Sequence, residues 1–510
     1  MAAARERRET SPGGNTLGGT AWPILLVWGL LACQLVLGGL YAIAELGELP
    51  HYHDSNAYFE LARILRVDAH RGIAYPVFLA ILDGFGSPSF LGVIEHEHTG
   101  KPCTAPGRIV LVQLLQFAAC AAAFAYWLRT AAVVSPRATT HRRTGPLAIA
   151  AVCALLSTDP LIAHFALSVM PDALAMAASL AFCSALSRVA LADPERRTTT
   201  RDGILVFAAF TVASLLRPEK KFVLAAAALA AAAVWPLLAH RGALSLSRFP
   251  ARIGFLAALV GLAFVTTTAT EQRTFRDYGR PGQTTIMLHA RVIFPHLGDI
   301  FDALPANIQR RFTPADVAFY DTHILNPGPV MERITAGDRE EFDRLTAQIA
   351  QVAWRERGGS IVFDTVKDGL ENTVPTPAFY ARMLALEELG VPGYRQLSRS
   401  DMLPWTRKLM SDHHPRLFAG SLLVAGATFF LLGGWLLGRR LVGGRVAPER
   451  TWPGELLPWL PTLTFALANA AAFALHADAV SPRYNLSTHA IVLAVVYTNA
   501  LRVARMETRP

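Results

Sequence analysis

The chain is expected to be an all-α polytopic membrane protein, a bundle of about ten transmembrane helices with a mostly helical extracytoplasmic insert. Three observations carry that expectation. Of 510 residues, 52% are hydrophobic and only 17% are charged, whereas a soluble domain carries about 25% charged residues. The apolar residues fall into blocks near the length that crosses a bilayer core, separated by short Arg-rich connectors. Those connectors alternate, basic at every second one, as the positive-inside rule requires of a chain that threads a membrane repeatedly.

The elements follow in order. Residues 1–21 are polar and hold Arg5, Arg7 and Arg8, as expected of a cytoplasmic N-terminal tail. The apolar run 22–44 is too long for a signal-peptide core and is followed by no small-residue cleavage pattern, so it is read as the first anchor. A first lumenal loop covers 46–107 and completes, with the following spans, an N-terminal membrane module over 22–270. Its further strong spans are 108–129, 220–238 and 253–270. Between them lie 146–158, 171–190 and 203–216, of which the first and third are short for a full crossing and suggest a dented lumenal face. Residues 159–170 and 217–219 read as very short turns. An insert at 271–414 has 17 Lys and Arg against 19 Asp and Glu, helical patches such as 342–352, and no run long enough to span. Spans at 416–438, 455–475 and 487–503 make up the C-terminal part, 415–503, and 504–510 is a cytoplasmic tail.

Charge placement sets the orientation. Arg129, Arg137, Arg142, Arg143, then Arg188, Arg196, Arg197, Arg201, then Arg241, Arg248, Arg252, then Arg439, Arg440, Arg445, Arg450 all fall in connectors on the side of the N-terminus. The protein is therefore expected in the cytoplasmic membrane, with the first loop and the insert outside. A net charge of +9 without a basic stripe interleaved with aromatics gives no footprint for nucleic acid. Cys33, Cys120, Cys153 and Cys183 lie in apolar segments and only Cys103 in a polar connector, which argues against a disulfide framework. No phosphate loop, dinucleotide glycine fingerprint or serine elbow is present in the sequence.

After the first span comes His51-Tyr52-His53-Asp54-Ser55-Asn56-Ala57-Tyr58, then Arg71-Gly72-Ile73-Ala74-Tyr75-Pro76. Asp159-Pro160, Met170-Pro171-Asp172 and, before the last span, Pro482-Arg483-Tyr484-Asn485 complete the pattern. In this order the motifs resemble the GT-C glycosyltransferases, nearest to the protein mannosyltransferase and lipid A aminoarabinose transferase group, over about 1–270 and 416–503. The insert departs from the commonest family plan, in which a soluble domain follows the helices. The resemblance implies a GT-C-like bundle that moves a sugar from a polyprenyl-phosphate donor to a lipid, glycan or protein acceptor at the outer face.

That chemistry assigns roles. An acceptor hydroxyl needs a general base, worth about 10²–10⁴ in rate, and Asp54 is the candidate; Asp followed by Ser-Asn-Ala also makes a good helix N-cap. The departing phosphate needs fixed cations. Arg217, Lys220 and Lys221 interrupt an apolar stretch between two spans, where bare charge requires a partner or a polar cavity. Snorkelling to the interface, with Glu219 as a local partner, is the alternative. Arg483 and Tyr484 open the last span and bind phosphate by the same logic, or anchor the interface. Tyr58, Arg71, Tyr75, Asp159 and Asp172 are expected to line the cavity; for Arg71 and Tyr75 a structural place at the membrane surface is the preferred alternative, and Asp172 also suits an N-cap.

His51 with His53, and His96 with His98, offer metal-ligand types, and a divalent metal ion bridging Asp54 and a lipid phosphate is chemically sensible. Pairs of histidines so spaced are more often loop residues. Two other function classes remain open: a transporter or flippase of a lipid-linked glycan, which calls for polar groups at mid-membrane depth, and a non-catalytic membrane scaffold presenting the insert.

Overall fold

The computed structural model describes residues 17–46, 49–50, 58, 61–62, 72–83, 106–134, 146–191, 200–240, 249–275, 292–293, 295–322, 328–373, 394–395, 404–443, 460–474 and 486–507. Nearly all of these are helical. The β-structure among them is one antiparallel pairing of Leu49–Pro50 with Tyr394–Arg395, which ties the chain just after the first helix to the far end of the insert.

The N-terminal part contains α1 (Leu17–Glu45), α2 (Ala74–Asp83), α3 (Pro106–Val134), α4 (Pro146–Ser157), α5 (Pro160–Leu167), α6 (Asp172–Leu191), α7 (Thr200–Leu216), α8 (Lys220–His240) and α9 (Phe249–Phe275). The insert contains α10 (Leu297–Ile300), α11 (Ala306–Gln309), α12 (Pro314–Thr322), α13 (Gly328–Thr335) and the long α14 (Arg339–Thr373). The C-terminal helices are α15 (Pro404–Gly443), α16 (Leu460–Ala474) and α17 (Leu486–Glu507).

Four of these helices hold stretches long and apolar enough to cross a membrane: Val110–Ala131 in α3, Asp172–Val189 in α6, Ile253–Thr270 in α9 and Arg416–Gly438 in α15. The pair α4 and α5 meets the same test as one span bent by 71°. Trp28–Ile43, Leu460–Ala472 and Leu486–Asn499 are shorter apolar helical stretches. The bend corrects the expectation of a mere turn at 159–170. Asp159 accepts hydrogen bonds from the backbone N–H groups of Leu161 and Ile162, and Pro160 occupies the first helical position, so a new helix starts directly where α4 stops.

Helix α6 is the centre of the bundle, packed against α3, α7, α8 and α17. Of its membrane-length window 78% is buried, against 17% for α9 at the periphery. Tyr41, Phe124, Trp127, Phe182, Phe210 and Phe418 are among the bulky members of the shared core. The outward faces are also apolar: Leu229, Leu262, Val265, Leu431, Leu437 and Leu467 are all exposed. A helix apolar on both its inner and outer faces suits hydrocarbon and not water.

The insert has its own core, built on Ile293, Leu297, Ile300, Met331, Leu345, Ile349 and Ala353. Leu345, Ile349 and Ala353 recur every four residues along α14, which lays one face of that helix on the short helices before it. Helix α14 also packs against α16, which joins the insert to the bundle.

Candidate functional site

Chain direction brings one set of helix ends together: the starts of α3, α6, α8 and α17 and the finish of α5, α7 and α16. Several buried polar residues of the apolar segments lie there, among them Gln113, Gln116, Asp172, Lys220, Asn469 and Ser487. Pro218 cannot continue α7, and the turn it forms, closed by the Lys220 N–H on the Arg217 carbonyl at 2.9 Å, leads at once into α8. Four charged side chains, Arg217, Glu219, Lys220 and Lys221, thus occupy five consecutive positions at this end.

Each cation has a partner from another element or from the core wall. Arg217 Nη2 donates to Asp172 Oδ1 at 2.5 Å, with the two side chains 11% and 4% exposed. Lys220 Nζ donates to Asn469 Oδ1 of α16 and to Ser487 Oγ of α17, the latter at 3.3 Å. Asn469 is itself oriented: its Nδ2 donates to Thr488 Oγ1 at 2.8 Å, and that hydroxyl donates to the Ala466 carbonyl at 3.2 Å. Lys221 Nζ lies 5.3 Å from the ring centre of Phe222 and 5.9 Å from that of Phe264, cation–π distances. Acceptor capacity is left over, because Asp172 Oδ2 and Glu219 Oε1 are buried with no hydrogen-bond partner.

The first loop is built onto the same end. Tyr58 and Tyr75 are buried edge to face, 5.1 Å between ring centres, in a cluster with Met170 and Leu216. Tyr75 donates to Gln116 Oε1 at 2.9 Å, and Gln116 Nε2 donates to the carbonyls of Ala166 and Ser168 at 2.9 and 2.7 Å. Gln113 Nε2 donates to the Leu167 carbonyl at 2.6 Å. These amides occupy the carbonyls that the finish of α5 leaves without helical partners. Gly72 lies against the finish of α7, where a Cβ would come within 2.0 Å of the Leu215 carbonyl oxygen. Only glycine allows the loop so close to Arg217.

A second polar cluster occupies the α4–α5 break. His489 Nε2 lies 3.2 Å from Asp159 Oδ1, both side chains 1% exposed, and Asp159 Oδ2 is buried without a hydrogen-bond partner. Tyr41 and His164 share a hydrogen bond of 2.8 Å nearby on α1 and α5. His489 is two residues from Ser487, so the start of α17 touches both clusters.

Of the residues expected from the sequence, Arg217, Lys220 and Asp172 come together, Lys221 beside them turns onto Phe222 and Phe264, Tyr58 and Tyr75 pack beside Leu216, and Asp159 belongs to the break. Asp54, Arg71, Arg483, Tyr484 and the pairs His51 with His53 and His96 with His98 lie outside the described residues. Among the described residues no group of three or more His, Cys, Asp or Glu side chains is placed to hold a metal ion. Gln113, Gln116, Asn469, Ser487 and His489 were not anticipated, although a lone polar residue inside an apolar run is itself a signal.

No protein-family model, curated protein or solved structure matches this chain. The likeness to GT-C glycosyltransferases stands on the quoted motifs alone.

Proposed function

We propose that the protein is an integral glycosyltransferase of the cytoplasmic membrane, a GT-C-like bundle of about ten crossing helices with its N-terminus in the cytoplasm. It transfers a sugar from a polyprenyl-phosphate donor to a lipid, glycan or protein acceptor at the extracytoplasmic face. The observation that supports this reading is the gathering of Arg217 and Lys220 with Asp172, Asn469 and Ser487 at one end of an apolar bundle, with Lys221 next in the chain against Phe222 and Phe264. In the proposed reaction Asp54 takes the proton of an acceptor hydroxyl as its oxygen attacks the anomeric carbon. The lipid phosphate leaves from the opposite face with the bonding electrons, so the configuration inverts. The three cations take up the charge that develops on that phosphate, where exclusion of water makes each of them count for more.

The experiment is transfer of a labelled sugar from its polyprenyl phosphate in membranes carrying the protein. Asp54→Asn and Lys220→Met are each expected to lower transfer by about 10²-fold or more; parental rates in both would end the enzymatic reading.

A second reading, a transporter or flippase of a lipid-linked glycan, is favoured by the 71° bend between α4 and α5 and the Asp159–His489 pair beside it. Broken helices with buried ionisable groups are how many transporters build their sites. That reading requires the labelled lipid to change leaflet with its sugar still attached.

A further inference from the structure

Helix α14 bends at Arg357, whose φ of −129° and ψ of 15° are not helical. Arg357 lies 3.2 Å from Asp299 at the start of α10, which fixes the bend to the body of the insert. Before the bend, Leu345, Ile349 and Ala353 are buried in the insert core; beyond it, only Ile361 returns to that core. The opposite face is unusual for a segment outside a bundle. Val362, Phe363 and Val366 are 51%, 68% and 55% exposed, and with Gly359 they share an arc of about 100° at the helical periodicity. Trp354, just before the bend, is 40% exposed, and exposed Lys367 flanks the arc.

A water-facing surface has no use for this arrangement, since a helix in solvent keeps its polar face outward. The position of α14 says what covers it. The helix packs against α16, whose own Leu460 and Leu467 are exposed and belong to the outward apolar belt of the bundle. A lipid boundary that bathes that belt reaches the neighbouring face of α14. Large apolar side chains bordered by a tryptophan and a lysine are the residue types that settle at the level of lipid headgroups.

We infer that the segment of α14 beyond Arg357 is an interfacial helix, lying along the bilayer surface beside α16 with Val362, Phe363 and Val366 in the acyl boundary. The long Lys367 chain reaches back to the headgroup phosphates. The insert is thereby held down onto the membrane next to the helix whose Asn469 orients Lys220. The inference rests on the membrane-spanning part of the proposed function and is independent of its chemistry.

Nitroxide labels on Val362→Cys, Phe363→Cys and Val366→Cys test it, in full-length protein with the native cysteines replaced by alanine. The protein is reconstituted in vesicles of phosphatidylethanolamine and phosphatidylglycerol. Collision with oxygen, which concentrates in lipid, is compared with collision with a water-soluble nickel chelate. The oxygen-to-nickel ratio is expected to be several-fold higher at 362, 363 and 366 than at Arg355→Cys and Ser360→Cys. A nickel-favoured label at 363 overturns the inference, and so does a label that neither reagent reaches, which marks a face covered by protein. Leu262→Cys and Val265→Cys on α9 separate the failures: lipid-like values there with a water-like 363 remove only this inference, whereas water-like values at all of them remove the membrane reading.

Discussion

Lys220 and Lys221 stand where a helix receives them least well, in the first turn of α8, whose free N–H groups already carry positive partial charge. Burial adds a desolvation cost, so their positions are sustained by the partners that face them: Asn469 and Ser487 for Lys220, aromatic faces for Lys221. Arg217 and Asp172 form the corresponding closed ion pair. Arg217→Ala strands a buried carboxylate and is expected to cost about 3–5 kcal/mol, read as a lower unfolding midpoint in detergent. Adding Asp172→Asn to the same chain is expected to recover a large part of the loss, which distinguishes stranded charge from lost packing. At this scale the sequence disclosed the three cations, because charge inside an apolar stretch is conspicuous wherever it occurs. It did not disclose Asn469, which lies 249 residues from Lys220, since a lone amide names no partner.

The break between α4 and α5 shows how an element boundary can be readable in chemistry and unread in consequence. Asp159 followed by Pro160 is a strong helix start, yet the apolar residues 160–167 were too few to suggest a helix of their own. What makes this short helix viable is tertiary: Gln113 and Gln116 cap its last carbonyls and His489 meets its N-cap. In the insert, the elements are pinned by exposed and half-buried ion pairs. Burial works against the charge on Asp316, but hydrogen bonds from the Thr313 hydroxyl and N–H and from Arg333 outweigh it and hold its carboxyl below the usual range. Arg311, with Arg344, does the same for Glu341. Both carboxyls are more acidic folded than unfolded, so they stabilise the insert fully above the ordinary carboxylate values of about 4. That contribution falls away as the pH drops through the lowered folded values. Hydrogen-exchange protection, corrected for the intrinsic pH dependence of amide exchange, is expected to fall across 311–322 and 328–345 in this acidic window while that of α6 holds; an equal fall in both would refute the local origin.

At the scale of the whole molecule, an apolar core enclosed by outward leucines and valines predicts that the chain resists alkaline carbonate extraction and stays with the membrane pellet. Release into the supernatant would contradict the assignment of its four long apolar helices to the bilayer. The sequence by itself determined the solvent, because block length and composition fix whether a helix can satisfy its backbone in hydrocarbon, and no distant contact changes that. It also determined which residues were costly to bury, since that cost is a property of the side chain and its immediate neighbours. Tertiary structure alone decided how each cost is met: Lys220 by α16 and α17, Arg217 by α6, the finish of α5 by two glutamines of α3. It also decided that the insert's long helix lies against α16. Hydrogen bonds and ion pairs require atoms within about 3 Å of each other, and only the packing of the bundle brings residues so far apart in the chain to that distance.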